Sequence, residues 1–118
     1  MSRLLAVVMM FLAMDAYSYQ GCDKLATGYE AGYTLYVLCD DLTGITEPEA
    51  SALMRKLFAQ YRGPRDEVLV YFVKSPGSFG RTQFESSSFV GVYYTHDNSL
   101  IIWPEIEAKR ESFAIEWE

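Results

Sequence analysis

Six apolar residues run without a break from Val68 to Val73 (VLVYFV), between Glu67 and Lys74. So short a run, so rich in β-branched and aromatic side chains, predicts a strand rather than a helix. Side chains of a strand alternate between its two faces, and here both faces are apolar. Such a strand must be central in a sheet and covered above and below. The rest of the chain has to supply its neighbours and its covers.

Three neighbours are legible. Tyr33 to Cys39 (YTLYVLC), Phe89 to Thr95 (FVGVYYT) and Leu100 to Trp103 (LIIW) are β-branched and aromatic segments. His96-Asp97-Asn98-Ser99 reads as a tight turn joining the last two, and Pro104 ends that pairing. One cover is equally clear. Thr46-Glu47-Pro48-Glu49 carries a capping-box signature with proline in the first turn. Ala50, Leu53, Met54, Leu57, Phe58 and Tyr61 then recur at helical spacing, and Gly63-Pro64 supplies a stop, which predicts an amphipathic helix over 46–62. Ser75 to Ser88 is a long surface loop. Glu105 to Glu111 favours a short helical turn by propensity, and the alternation of Phe113, Ile115 and Trp117 favours an edge strand after it.

This order of elements predicts an α+β domain: a small, mostly antiparallel sheet of four to five strands, order β-α-β-β-β, with the helix on one face. The strands flanking the helix should be parallel, adjacent or one apart, through a right-handed crossover.

The N-terminus reads as an export signal, with Arg3, then the apolar stretch Leu4 to Ala13, then Ala16 and Ser18 as small residues before a cut at Tyr19. The stretch is too short to cross a bilayer as a helix, which takes about 20 residues. Residues 1–18 are thus expected to be removed, leaving 19–118 as a single exported domain, periplasmic or secreted. A lipidated Cys22 is the rival reading, but Tyr19 and Gln20 fit a lipoprotein site poorly.

Export sets the redox compartment and makes Cys22 and Cys39 a disulfide pair. The bridge would close a loop of about 18 residues, worth on the order of 3 kcal/mol in the chain-entropy model. A hairpin of Asp23–Tyr29 with Tyr33–Cys39, turning at Glu30-Ala31, would place the two cysteines directly opposite each other. In that register paired residue numbers sum to 61, although Glu-Ala is a poor two-residue turn.

Removing residues 1–18 takes away one Arg and one Asp, so the net charge of −6 is unchanged. An acidic chain without clustered Lys and Arg is a poor fit to nucleic acid or to an anionic membrane surface. Cys22, Cys39 and the lone His96 are too few for a cysteine–histidine metal site, and no cofactor motif is present.

Candidates for chemistry are sparse. His96 is the only histidine, and a small hydrolase would have to combine it with Asp97 or with the Asp40–Asp41 pair. Its place in a turn offers a plainer reason for being polar. Asp40 and Asp41 lack the alternating ligands and glycine of a calcium loop, and Gly77 to Arg81 lacks the lysine and following helix of a phosphate loop. The aromatic strand residues carry more weight. One helix, about 10 Å wide, cannot cover both faces of a sheet whose four or five strands lie about 4.8 Å apart. The second face should therefore be apolar and aromatic, covered by the tail, another subunit or a partner. Tyr36, Tyr71, Tyr93, Tyr94 and Trp103 are the candidate interface residues. Ordinary β-propensity explains aromatics on strands equally well. The expectation is a disulfide-linked binding protein of inhibitor or immunity type that engages a protein, preferably a basic one, or itself. A small hydrolase and a structural envelope module are the alternatives.

Overall fold

The structure is a computed structural model that describes residues 22–26, 33–63 and 67–118. The expected signal and its junction at Tyr19, the Glu30-Ala31 turn and the Pro64 stop lie outside the described residues.

Five strands and one α-helix follow one another as β1 (Thr34–Leu38), α1 (Glu47–Phe58), β2 (Leu69–Val73), β3 (Phe89–Tyr94), β4 (Ser99–Ile102) and β5 (Glu111–Ala114). They build a single sheet in the order β1-β2-β3-β4-β5. β1 and β2 are parallel neighbours across the helix, as expected, and the other pairs are antiparallel. The fold is a small α+β domain. The apolar run that was expected to be central forms β2, an interior strand one place from the edge, and β3 takes the middle.

α1 begins where the capping signature placed it. The Thr46 hydroxyl accepts from the Glu49 amide at 3.3 Å, and the Glu49 carboxylate accepts from the Thr46 amide at 2.9 Å. The expected apolar stripe is its buried face, with Tyr61 partly buried beyond its end. The helix stops at Phe58, four residues before the expected 62. After it, Gln60 and Tyr61 donate to carbonyls three residues back, tightening the chain. That turn aims the Gln60 side chain at the N-terminal segment, where its amide group takes up the Leu25 N–H at 3.0 Å and the Asp23 carbonyl at 2.6 Å.

Register sorts the sheet into two faces. Leu35, Val70, Tyr93, Leu100 and Phe113 form one row across it, and Val37, Phe72, Gly91 and Ile102 the next. These rows join the α1 stripe in one core. Gly91 is the gap in the second row. A Cβ there would lie 3.2 Å from Leu42 Cδ1 and 3.3 Å from the Ile101 carbonyl oxygen, so the missing side chain makes room for Leu42, which is fully buried. A bulge between β2 and β3 inserts Val90, turning it into the core and moving Phe89 opposite Val73 on the other face.

Cys22 and Cys39 are disulfide-bonded, with Cα atoms 4.5 Å apart. The strand pairing beside the bridge differs by one from the expected register. Leu25 lies opposite Val37, and Ala26 N–H donates to the Tyr36 carbonyl, so residue numbers sum to 62. The reason is burial. Opposite residues share a face, and this register puts Leu25 with Val37 on the core side, where the expected one would have set it beside Tyr36 on the other.

The tail also differs. Residues 104–110 make turns rather than a helical turn, and the edge strand is Glu111–Ala114 rather than 113–117. Pairing stops because β4 begins at Ser99 and the last partner available is the Asn98 carbonyl, which accepts from Ile115 N–H. The alternation that suggested a strand is nonetheless real. Phe113, Ile115 and Trp117 all pack against the core.

Candidate functional site

The face turned away from α1 is the candidate site. Its rows are Thr34, Leu69, Tyr94, Ser99 and Ala114, then Tyr36, Tyr71, Val92, Ile101 and Ser112, with Leu38, Val73 and Phe89 completing it. No described strand position on this face carries a charge.

Part of the face is covered by the Ser75–Ser88 loop rather than by the tail. Ser75 accepts from Gly77 N–H at 3.2 Å and opens a 3₁₀ turn over Pro76–Ser78. Gly80 follows at φ 83°, a left-handed conformation that suits glycine and reverses the chain. These turns lower two phenylalanines onto the sheet. Phe79 lies 6.0 Å from the Tyr36 ring, and Phe84 lies 5.0 Å from both Tyr71 and Phe89. The Tyr36 hydroxyl donates to the Arg81 carbonyl at 2.6 Å. Burial pushes the Tyr36 and Tyr71 phenols above their ordinary pKa.

The remainder is open. Leu69, Val92 and Ile101 are half-buried, and Tyr94 is 38 % exposed. At the same end the Tyr94 ring meets His96 at 4.9 Å, and His96 Nε2 lies 3.6 Å from a Glu67 carboxylate oxygen. Both partners of that pair are more than half exposed.

Three of the five sequence-derived interface residues therefore share this face: Tyr36 beneath the loop, Tyr71 at its margin and Tyr94 in the open. Tyr93 and Trp103 do not. Tyr93 is on the core side, its hydroxyl bonded to Asn98 Oδ1 at 2.9 Å. Trp103 is buried beyond β4 with its indole N–H donated to the Thr43 hydroxyl at 2.9 Å. Register explains Tyr93, since neighbours in a strand face opposite ways. Trp103 has φ 47°, a left-handed backbone that sequence pattern does not announce. Leu69 and Val92 stand two residues from Tyr71 and Tyr94, so strand alternation sets them on the same face, while Ile101 joins them only through the β3–β4 register.

The other candidate groups are apart. Asp41 accepts from the Thr43 amide at 2.9 Å and hydroxyl at 2.6 Å. Those bonds from Thr43, the side-chain one foremost, hold its carboxyl below the usual range. Asp41 thus closes the turn that leads into α1. The carboxylate beside His96 is Glu67, not the expected Asp97 or Asp40–Asp41. Among the described residues no three His, Cys, Asp or Glu side chains gather closely enough to hold a metal, and no helix is long and apolar enough to cross a membrane.

Set against family models, curated proteins and solved structures, the chain matches none of them.

Proposed function

We propose that the chain is a small exported binding protein, and that the open part of its uncharged sheet face engages another protein. The observation that carries this reading is the cluster of Leu69, Val92, Ile101 and Tyr94, half-buried or exposed on a face without a charged strand position. Apolar groups with an exposed tyrosine suit the desolvated centre of an interface. The net charge of −6 favours a basic partner by steering its approach. The disulfide is consistent with an oxidising compartment, periplasmic or extracellular. An inhibitor or immunity-type role fits a small acidic domain of this kind.

The test is a cross-linking pull-down from the exporting host with the wild-type protein, Tyr94→Asp and Ile101→Asp. A partner captured by the wild type and lost by both folded variants supports the reading. A partner retained by both variants refutes this face as the interface. Light scattering separates a heterologous partner from self-association. A hydrolase built on His96 is the second reading, favoured by the His96–Glu67 pair alone. It predicts an activity abolished by His96→Ala, whereas binding through the sheet face survives that change.

A further inference from the structure

We infer that the Cys22–Cys39 disulfide is a redox clasp, holding residues 22–26 as a detachable strip along the outer edge of β1. Reduction releases that strip while the five-stranded sheet and α1 stay folded.

The strip is attached in an uneven way. One tie is covalent. The others are the apolar contact of Leu25 with the core and four polar ties: Ala26 N–H to the Tyr36 carbonyl at 2.8 Å, the two Gln60 bonds to Leu25 and Asp23, and an ion pair of Lys56 with Asp23 at 2.9 Å. The Gln60 bonds lie in exposed surroundings and the Lys56 side chain is 54 % exposed, so water and salt weaken these ties. The sheet, by contrast, holds together through continuous ladders from β1 to β5 and a core drawn mostly from other segments. β1 keeps its parallel ladder to β2 without the strip. Loss of the bridge therefore acts first on this strip, which no ladder ties to the rest of the sheet.

Both cysteines are buried, so a reductant reaches the sulfurs only after the strip opens. The step is thiol–disulfide exchange with a dithiol. The Cys22–Cys39 bond breaks, a disulfide forms in the reductant, and two protons pass from the reductant's thiols to the cysteines. Release leaves the Tyr36 carbonyl without Ala26 and uncovers the flank of Val37, an unpaired strand edge of the kind that recruits another strand. Closure of that edge thus depends on an oxidising environment.

Residue-resolved hydrogen exchange on the full chain tests it, comparing the oxidised protein, the dithiothreitol-reduced protein and a Cys22→Ser/Cys39→Ser variant. In the two bridge-free forms the Leu25 and Ala26 amides should exchange at least about tenfold faster and become the least protected of the sheet region, while β2–β4 amides remain protected. Gln60→Ala should speed Leu25 exchange in the oxidised protein, where Gln60 Oε1 accepts that N–H, and add little in the reduced chain, where the strip is already free. Protection retained at Ala26 after reduction overturns the clasp. So does an equal loss of protection across β2–β4, which makes the bridge a staple of the whole domain.

Discussion

The hydroxyl of Tyr36 donates to the main-chain carbonyl of Arg81 at 2.6 Å, across 45 residues of sequence. It is the polar counterpart of the Phe79 and Phe84 ring contacts, and together they hold the Ser75–Ser88 loop on the sheet.

Tyr36→Phe keeps the ring and removes this bond. A net hydrogen bond contributes about 1 kcal/mol, which for a domain of this size lowers Tm by about 4–8 °C. Because Phe84 still packs on Tyr71 and Phe89, the sheet should persist. Limited proteolysis should cut the 75–88 loop faster than in the wild type, with far-UV circular dichroism unchanged. A loop no easier to cut would mean that the ring contacts alone hold it.

Asn98 is a junction between the β3–β4 turn and the tail. Its Oδ1 accepts from the Tyr93 hydroxyl at 2.9 Å and the Trp117 indole N–H at 2.8 Å, while Nδ2 donates to the Ile115 carbonyl at 2.8 Å. Its backbone sits at φ 49°, which asparagine tolerates better than most residues. Asn98→Ala strands the buried Tyr93 hydroxyl and strains the turn, and should cost about 2–4 kcal/mol by urea unfolding. Asn98→Gly relieves the strain but not the lost bonds, so it should be milder. Asn98→Asp keeps both acceptor contacts but sets a carboxylate oxygen against the Ile115 carbonyl, so it should recover only part of the loss.

What was legible in the sequence follows from how far each signal reaches. The α1 stripe and its Thr46–Glu49 box are local, and both boundaries of the cap were readable. β1 and β2 were readable because a short apolar run has one solution beside a crossover helix. The position of β2 within the sheet was not, since it depends on β4 and β5 extending the sheet on one side only. Tyr93 and Tyr94 look alike in sequence, and only their partners Val70 and Leu69 fix which one faces the core. The loop cover was hidden for a different reason. Phe79 and Phe84 sit in a Ser- and Gly-rich segment with no period, so nothing local says where they land. The pairing of Glu67 with His96 likewise joins residues brought together by the β2–β3 ladder.

Three phenols give the fold a base-sensitive side. Burial raises the pKa of Tyr93, Tyr36 and Tyr71 above the ordinary phenol value. A raised folded-state pKa means that the unfolded chain ionises first. The stability these neutral phenols contribute is fully present below the unfolded value, about 10, and is lost as pH rises through the folded values. Urea midpoints should therefore fall as pH climbs past about 10. Tyr93→Phe, although less stable at neutral pH, should show a shallower fall. The opposite sign, a midpoint rising with alkali, would contradict the burial of these rings.

Gly91 and Leu42 offer a test of packing between the core and the loop that precedes α1. Gly91→Ala puts a Cβ 3.2 Å from Leu42 Cδ1 and 3.3 Å from the Ile101 carbonyl oxygen, closer than ordinary contact. The Ile101 oxygen belongs to the β3–β4 ladder and yields little, whereas Leu42 Cδ1 is a side-chain terminus in a fully buried setting. Overpacking of this kind costs about 1–3 kcal/mol. Leu42→Ala alone leaves a cavity and should cost about 2–4 kcal/mol. In the double variant the new methyl moves into space that Leu42 vacates. Its loss should fall short of the sum of the singles by at least about 0.5 kcal/mol, because the two sites share one volume. Strict additivity in chemical denaturation would show that the strain at position 91 comes from the Ile101 carbonyl rather than from Leu42.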